Sequence, residues 1–142
     1  MNTLVIAVAY RTPQEAVGFA KSLLAGYGGP DLHLIIVDNS DVAGEAVRQD
    51  DLPSGDGRVE LVLAPANLGY FGGAELGLAT HLRRHEWPDW VVVCNVDLTV
   101  EDPAGLLERL RSAKATSVVA PRIIREDTGR DLNPFMRTRP AA

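Results

Sequence analysis

The chain has 142 residues, 46% of them hydrophobic and 23% charged; this excludes disordered and collagen-like classes and suits one domain that buries roughly two-thirds of its unfolded surface. Its 14 Lys and Arg against 19 Asp and Glu give a formal charge of −5, which argues against a nucleic-acid surface built on phosphate contacts. With Cys94 as its only cysteine, the chain can form neither an internal disulfide nor a cysteine-based zinc cluster, and a reducing compartment is expected.

The opening MNTLVIAVAYRTP has a short apolar run without a basic leader, so Leu4 to Ala9 reads as a strand rather than a signal peptide. Thr12, Pro13 and Glu15 then supply an N-cap, a proline at the first helical position and a capping-box acid, predicting a helix to about Ala25. Val17, Ala20 and Leu24 share one of its faces, and Gly26, Gly28, Gly29 and Pro30 end it. The second strand is LHLIIVD, residues 32 to 38, and a polar segment through Pro53, Ser54 and Gly55 leads to a third, VELVL, residues 59 to 63. A helix from about Phe71 to Arg84 precedes the fourth strand, WVVVCN, and Asp102-Pro103 opens another helix ending near Ser112. SVVAP, residues 117 to 121, is the fifth strand.

Strands that are apolar throughout and alternate with helices predict an α/β fold, a mostly parallel sheet of about five strands covered by helices on both faces. Residues 125–142, with prolines, charges and little periodicity, read as a loop or a disordered end, although Asn133 to Met136 has the apolar content of a packing segment. No segment approaches the ~20 apolar residues that span a bilayer, which leaves peripheral membrane contact.

In parallel sheets of this kind, ligands bind at the carboxyl ends of the strands. Polar residues collect there: Tyr10 and Arg11 after the first strand, Asp38 and Asn39 after the second, Asn67 and Gly69 after the third. Asn95 and Asp97 follow the fourth, and Arg122 the fifth. Asp38 can accept hydrogen bonds from a base or a ribose, or form an Asx-turn with the turn formers that follow it. Asn95 and Asp97 share one side of an extended chain and offer oxygen ligands suited to a hard divalent cation whose shell a diphosphate completes. The glycines of Asn67 to Gly73 let backbone approach a ligand closely, and amides at a helix start receive anions. No dinucleotide fingerprint and no phosphate loop of the G-K-[ST] type occurs.

His33, inside a strand, reads as a core or edge histidine. His81 and His85 stand four apart on one helical face, the spacing of a metal pair, but Arg83, Arg84 and Glu86 around them favour a solvated face. Cys94 lies within an apolar strand and reads as a small core residue.

Taken in order, IAVAYRTP, IIVDNSD, PANLGYFGGAELGLA, VVVCNVDLTV and VVAPRI resemble the N-terminal, donor-binding half of family 2 glycosyltransferases with the GT-A fold, especially the bacterial rhamnosyltransferase-like branch. The likeness runs from Leu4 to about Ile124. It implies a Rossmann-like domain over residues 1–124 that holds a UDP- or dTDP-linked sugar across its strand ends. Ala9, Tyr10 and Arg11 would line the nucleobase pocket, Asp38 would contact base or ribose with Asn39 next to it, and Asn67 and Gly69 would flank the nucleotide. Asp97 matches the last acidic position of the family's D-x-D element and would hold Mg²⁺ or Mn²⁺ on the diphosphate, with Asn95 replacing the first aspartate.

The implied reaction is inverting transfer of the sugar to a hydroxyl of a glycan or lipid-linked acceptor, in the cytoplasm or at the inner face of the membrane. The family's acceptor half, with its general base, is not visible after Pro121, so no catalytic residue is assigned; residues 125–142 read as the start of such a half. A face that this half would cover favours self-association. Two other readings compete: a nucleotide-binding or partner-binding domain without catalysis, and a nucleotidyltransferase. AVAYRTPQE lacks the glycine- and lysine-bearing loop of the latter.

Overall fold

The computed structural model describes residues 1–53, 55, 57–114 and 118–132. By its internal contacts the chain divides into Met1–Arg111 and Ser112–Ala142.

The first unit is a four-stranded, wholly parallel sheet. Strands β1 (Thr3–Ala9), β2 (Leu32–Asp38), β3 (Val59–Leu63) and β4 (Trp90–Asn95) lie in the order β3-β2-β1-β4. The register sets Ala9 opposite Asp38 and Val8 opposite Asn95, so the carboxyl ends finish level. β1 and β2 are central, and their unbroken apolar sequences are buried on both faces apart from His33.

Helices α1 (Pro13–Gly26), α2 (Gly69–Leu82) and α3 (Pro103–Ser112) supply the covering layers. Phe19, Leu23 and Leu24 of α1 share one apolar cluster with Leu107 and Leu110 of α3 and with Val5, Ala7, Leu34 and Ile36 of the sheet. Val47 and Leu52 join that layer from the connection between β2 and β3, which is built on two single 3₁₀ turns, Ala43–Glu45 and Gln49–Asp51. On the opposite face, Ala74 of α2 packs with Leu4, Ile6, Val8, Ile35 and Val37. Each such fully buried aliphatic side chain contributes about 1.5–3 kcal/mol.

α2 comes close to the sheet because two residues on its inner face lack a β-carbon. A Cβ at Gly77 would stand 2.7 Å from Ile6 Cγ2, and one at Gly73 would stand 3.0 Å from Val8 Cγ1.

The element boundaries agree with the sequence expectation to within two residues, with four differences. Thr12 makes no side-chain cap bond; at φ −130° and ψ 58° it lies outside the extended geometry that aims an N-cap oxygen at the first turn. Asp102 does cap α3, its Oδ1 accepting from the Gly105 N–H at 2.8 Å. Coverage on both faces holds for β1 and β2 but not for β4: Val91 and Val93, on the α2 side, are each 36% exposed, because α2 lies over the two central strands. The fifth strand is not formed at Val118–Pro121, which are irregular and exposed, while Ser117 lies outside the described residues.

Residues 123–132, expected as a loop or disordered end from 125 onward, form a short hairpin. Ile124 bridges Asp131 antiparallel, the Arg125 N–H donates to Arg130 O at 3.0 Å, and the Leu132 N–H donates to Ile123 O at 2.8 Å. Gly129 closes the turn at φ +62°, a conformation that glycine adopts without a steric penalty. The apolar segment Asn133 to Met136 lies outside the described residues.

A polar junction ties α1, β2 and α3 together. The Tyr27 hydroxyl donates to Asp31 Oδ1 at 2.5 Å, and Arg111 donates to Asp31 Oδ2 and to the Tyr27 hydroxyl, each at 2.9 Å. The Tyr27 hydrogen bond, reinforced by Arg111, holds the Asp31 carboxyl below its ordinary value.

Two predictions arise here. Gly77→Ala gains about 1 kcal/mol of helix propensity but forces Ile6 to move, so a net loss of about 1–3 kcal/mol is expected in urea melts, whereas Gly18→Ala, which meets open space in α1, stabilises by about 0.5–1 kcal/mol. A depressed carboxylate pKa contributes stability above the unfolded value of about 3.9 and loses it as pH falls through the folded value. Asp31→Asn should therefore flatten the dependence of Tm on pH below about pH 4, measured by circular dichroism.

Candidate functional site

Strand order reverses between β1 and β4, and the crevice outside the carboxyl ends at such a point is where open α/β sheets hold ligands. A cleft of about 320 Å³ opens there. Of the residues expected to bind the donor, it brings together Ala9 and Tyr10 at the end of β1, Asn39 after β2, Asn67 just before α2 and Gly69 at its start, and Asn95 and Asp97 at the end of β4.

Asn39 joins three of these segments. Its backbone N–H donates to Ala9 O at 2.9 Å, and its side-chain Nδ2 donates to Gly69 O at 2.9 Å. The residue is only 2% exposed, and its buried Oδ1 has no hydrogen-bond partner among the described residues. Asn67 shapes the other wall as an Asx-turn, its Oδ1 accepting from the Gly69 N–H at 2.9 Å. Gly69 has φ +70°, so a side chain there would be strained.

Asn95 and Asp97 alternate as an extended chain requires: both are exposed and line the cleft, while Val96 between them is 5% exposed and packs into the core. Their oxygens are hard donors of the type Mg²⁺ and Mn²⁺ prefer. Among the described residues, Asp97 is the only carboxylate lining the cleft, and no Lys or Arg lines it. A diphosphate entering here would meet no side-chain cation among those residues, so the donor set fits a divalent ion whose remaining ligands are phosphate oxygens and water. Asn39, with its buried and unmatched Oδ1, lines the same cleft.

Asp38 and Arg11 are placed differently from their neighbours. Asp38 is 2% exposed and both its oxygens are engaged within the chain: Oδ1 accepts from the Ser40 N–H at 2.8 Å and the Ser40 hydroxyl at 2.5 Å, and Oδ2 accepts from the Val47 N–H at 2.6 Å. This is the Asx-turn geometry, used to order the loop after β2.

Arg11 sits at φ 58°, its N–H donating to Ser40 Oγ at 2.8 Å. Its guanidinium pairs with Asp41 at 2.8 Å and Glu45 at 3.3 Å, and lies 5.0 Å from the centre of the Tyr10 ring. The Arg11 hydrogen bond draws the Asp41 carboxyl below its ordinary value. Arg11 thus braces the loop and orients Tyr10. Arg122, in the other unit, pairs with Asp131 at 3.1 Å.

Sequence reasoning missed Thr12 and Tyr70, which also line the cleft. Thr12 was hidden by its resemblance to an N-cap, and Tyr70 lies inside the glycine-rich segment whose backbone drew attention first. Burial, with Cys94 nearby, raises the Tyr70 hydroxyl pKa. Cys94 is the expected core residue: burial and then the Asp97 charge push its thiol up to about 12, leaving it protonated and inert.

Of the two histidines expected on a solvated face, His85 is exposed and His81 is not. His81 is 7% exposed, and His33 Nδ1 lies 3.0 Å from His81 Nδ1, with His85 stacked on His81. Burial, then the neighbouring histidines, lowers the pKa of His33 and of His81. These residues lie at the amino ends of the strands, away from the cleft.

No protein-family model matches the chain, and no curated protein and no solved structure matches it either.

The two acidic residues should separate in stability measurements. Removing the buried acceptor by Asp38→Ala leaves the Val47 N–H and the Ser40 loop unpartnered and should cost about 2–4 kcal/mol, while the exposed Asp97→Ala should stay within about 0.5 kcal/mol of wild type in urea melts.

Proposed function

We propose that the cleft binds a nucleotide-diphosphate sugar, UDP- or dTDP-linked, and that the chain is the donor-binding part of a metal-assisted, inverting glycosyltransferase. The observation that carries this reading is the cleft itself. It lies at the reversal point of a parallel sheet and draws Asn39, Asn67, Asn95 and Asp97 together with an orphaned buried acceptor.

In this reading Tyr10 offers a ring for the base, and Asn39 Oδ1 accepts a hydrogen bond from the base or ribose. Gly69 lets the first turn of α2 approach the diphosphate, whose charge that helix end favours. Asp97, with Asn95 adjacent, would hold Mg²⁺ or Mn²⁺. When bound, the ion supplies charge neutralisation at the leaving diphosphate. Asp38 and Arg11 act indirectly, by fixing the loop after β2 and the orientation of Tyr10. The fixed strand ends would hold the sugar for attack from the opposite side by a glycan or lipid-linked acceptor. Among the described residues, no helix is long and apolar enough to cross a membrane.

A second reading, nucleotide binding without transfer, is favoured by one observation: with Asp97 committed to the cation, no other carboxylate among the described residues lines the cleft to serve as general base. Such a base contributes ~10²- to 10⁴-fold to transfer.

Thermal-shift titrations with UDP, dTDP and their sugar conjugates, with and without Mn²⁺, test the binding. Ligand at about 100 times its Kd should stabilise the fold by about 2.7 kcal/mol, several degrees in Tm. The shift should require Mn²⁺ and vanish in Asp97→Ala. A Tm unmoved by every nucleotide sinks both readings; binding without release of free nucleotide in the presence of an acceptor glycan selects the second.

A further inference from the structure

All three histidines of the chain gather at the end of the sheet opposite the cleft. His33 is the second residue of β2, while His81 lies in the last turn of α2 and His85 lies just beyond it. The His85 N–H donates to His81 O at 3.0 Å, so the backbone keeps a helical turn between them, and an i, i+4 pair faces one side. One ring nitrogen from each of the three lies within 4.8 Å of the others.

From these positions we propose that His33, His81 and His85 form a binding site for one divalent transition-metal ion, Zn²⁺ in the first instance. Imidazole nitrogen is a ligand that zinc prefers over the hard cations, and three histidines with one open position are a recurrent zinc donor set. Two Zn–N bonds of about 2.0–2.1 Å at a tetrahedral angle separate their nitrogens by about 3.3–3.4 Å. His33 Nδ1 and His81 Nδ1, at 3.0 Å, already stand within a few tenths of an ångström of that spacing. His85 is exposed and has the freedom to complete the set.

The surroundings suit a cation. Glu60 on neighbouring β3 lies near enough to act electrostatically on both His33 and His81, and it pairs with Arg84 at 3.3 Å. The backbone of Glu86 also lies near enough to act on the His81 ring. The three histidines line a cleft of about 370 Å³. Thr3 lines the same cleft, and its buried hydroxyl has no partner among the described residues. An ion here would tie α2 to β2 across residues 33 to 81.

The site is independent of the nucleotide reading, and its test can be separated from that one. Untagged protein is titrated with ZnCl₂ by calorimetry and with Co²⁺ by visible absorption, using wild type, His85→Ala, His33→Gln and Asp97→Ala. Wild type and Asp97→Ala should each bind one ion per chain, raise Tm by several degrees, and give the intense ligand-field bands of tetrahedral Co²⁺. His85→Ala, at an exposed position that leaves the fold intact, should weaken binding at least tenfold and lose those bands, as should His33→Gln. Absence of binding at tens of micromolar Zn²⁺, or equal affinity in wild type and His85→Ala, would overturn the proposal.

Discussion

The distance between α2 and the sheet is fixed by two missing β-carbons, at Gly73 and Gly77, and both ends of the molecule depend on it. Helix propensity opposes this arrangement: beyond its first residue α2 carries Gly72, Gly73 and Gly77, each costing about 1 kcal/mol relative to alanine in a helix interior. Tertiary packing on Ile6, Val8 and Val37 therefore holds the helix in place. Once seated, its first residue accepts from Asn39 at the carboxyl ends of the strands, and its last turn brings His81 against His33 at the amino ends. A single rigid-body shift of α2 would disturb the two places together.

Adjacent residues at the end of β2 illustrate two fates of a buried polar group beside the cleft. Asp38 and Asn39 are equally buried, at 2% exposure each. Asp38 uses both oxygens to hold Ser40 and Val47, so its charge is satisfied within the chain. Asn39 uses its N–H groups to join β1 to α2 and leaves its carbonyl oxygen unmatched, an omission that costs about 1–3 kcal/mol in a buried site. Asn67, Asn95 and Asp97 add exposed polar groups around it on a framework of strand ends and one glycine-initiated helix.

Most of the sheet was legible in the sequence because apolar runs of strand length bounded by glycine, proline and asparagine admit few alternatives. β2, β3 and β4 begin and end where those runs do. The rule that ligands gather at carboxyl ends then located the cleft, since polar residues following the strands had little else to explain them. What the sequence left hidden were contacts between distant segments. The burial of Asp38 depends on Val47, nine residues away, and the role of Arg11 depends on Asp41 and Glu45. The histidine cluster was invisible because His33 and His81 are 48 positions apart and only the seating of α2 on β2 brings them together. The expected fifth strand shows the reverse error. Val118 and Val119 have the composition of a strand, but composition alone does not provide a hydrogen-bonded neighbour.

The inert thiol of Cys94 gives the molecule a built-in clock. Because burial pushes the group up to about 12 and it sits half-buried against the core on the α1 side of β4, a thiol reagent meets a protonated, partly shielded group and reacts slowly while that edge strand stays in place. Its rate of modification, compared with that of an unprotected thiol, then rises as β4 loosens. Since β4 carries Asn95 at its end, occupancy of the cleft would register as a slowing of that clock, without any label near the site itself.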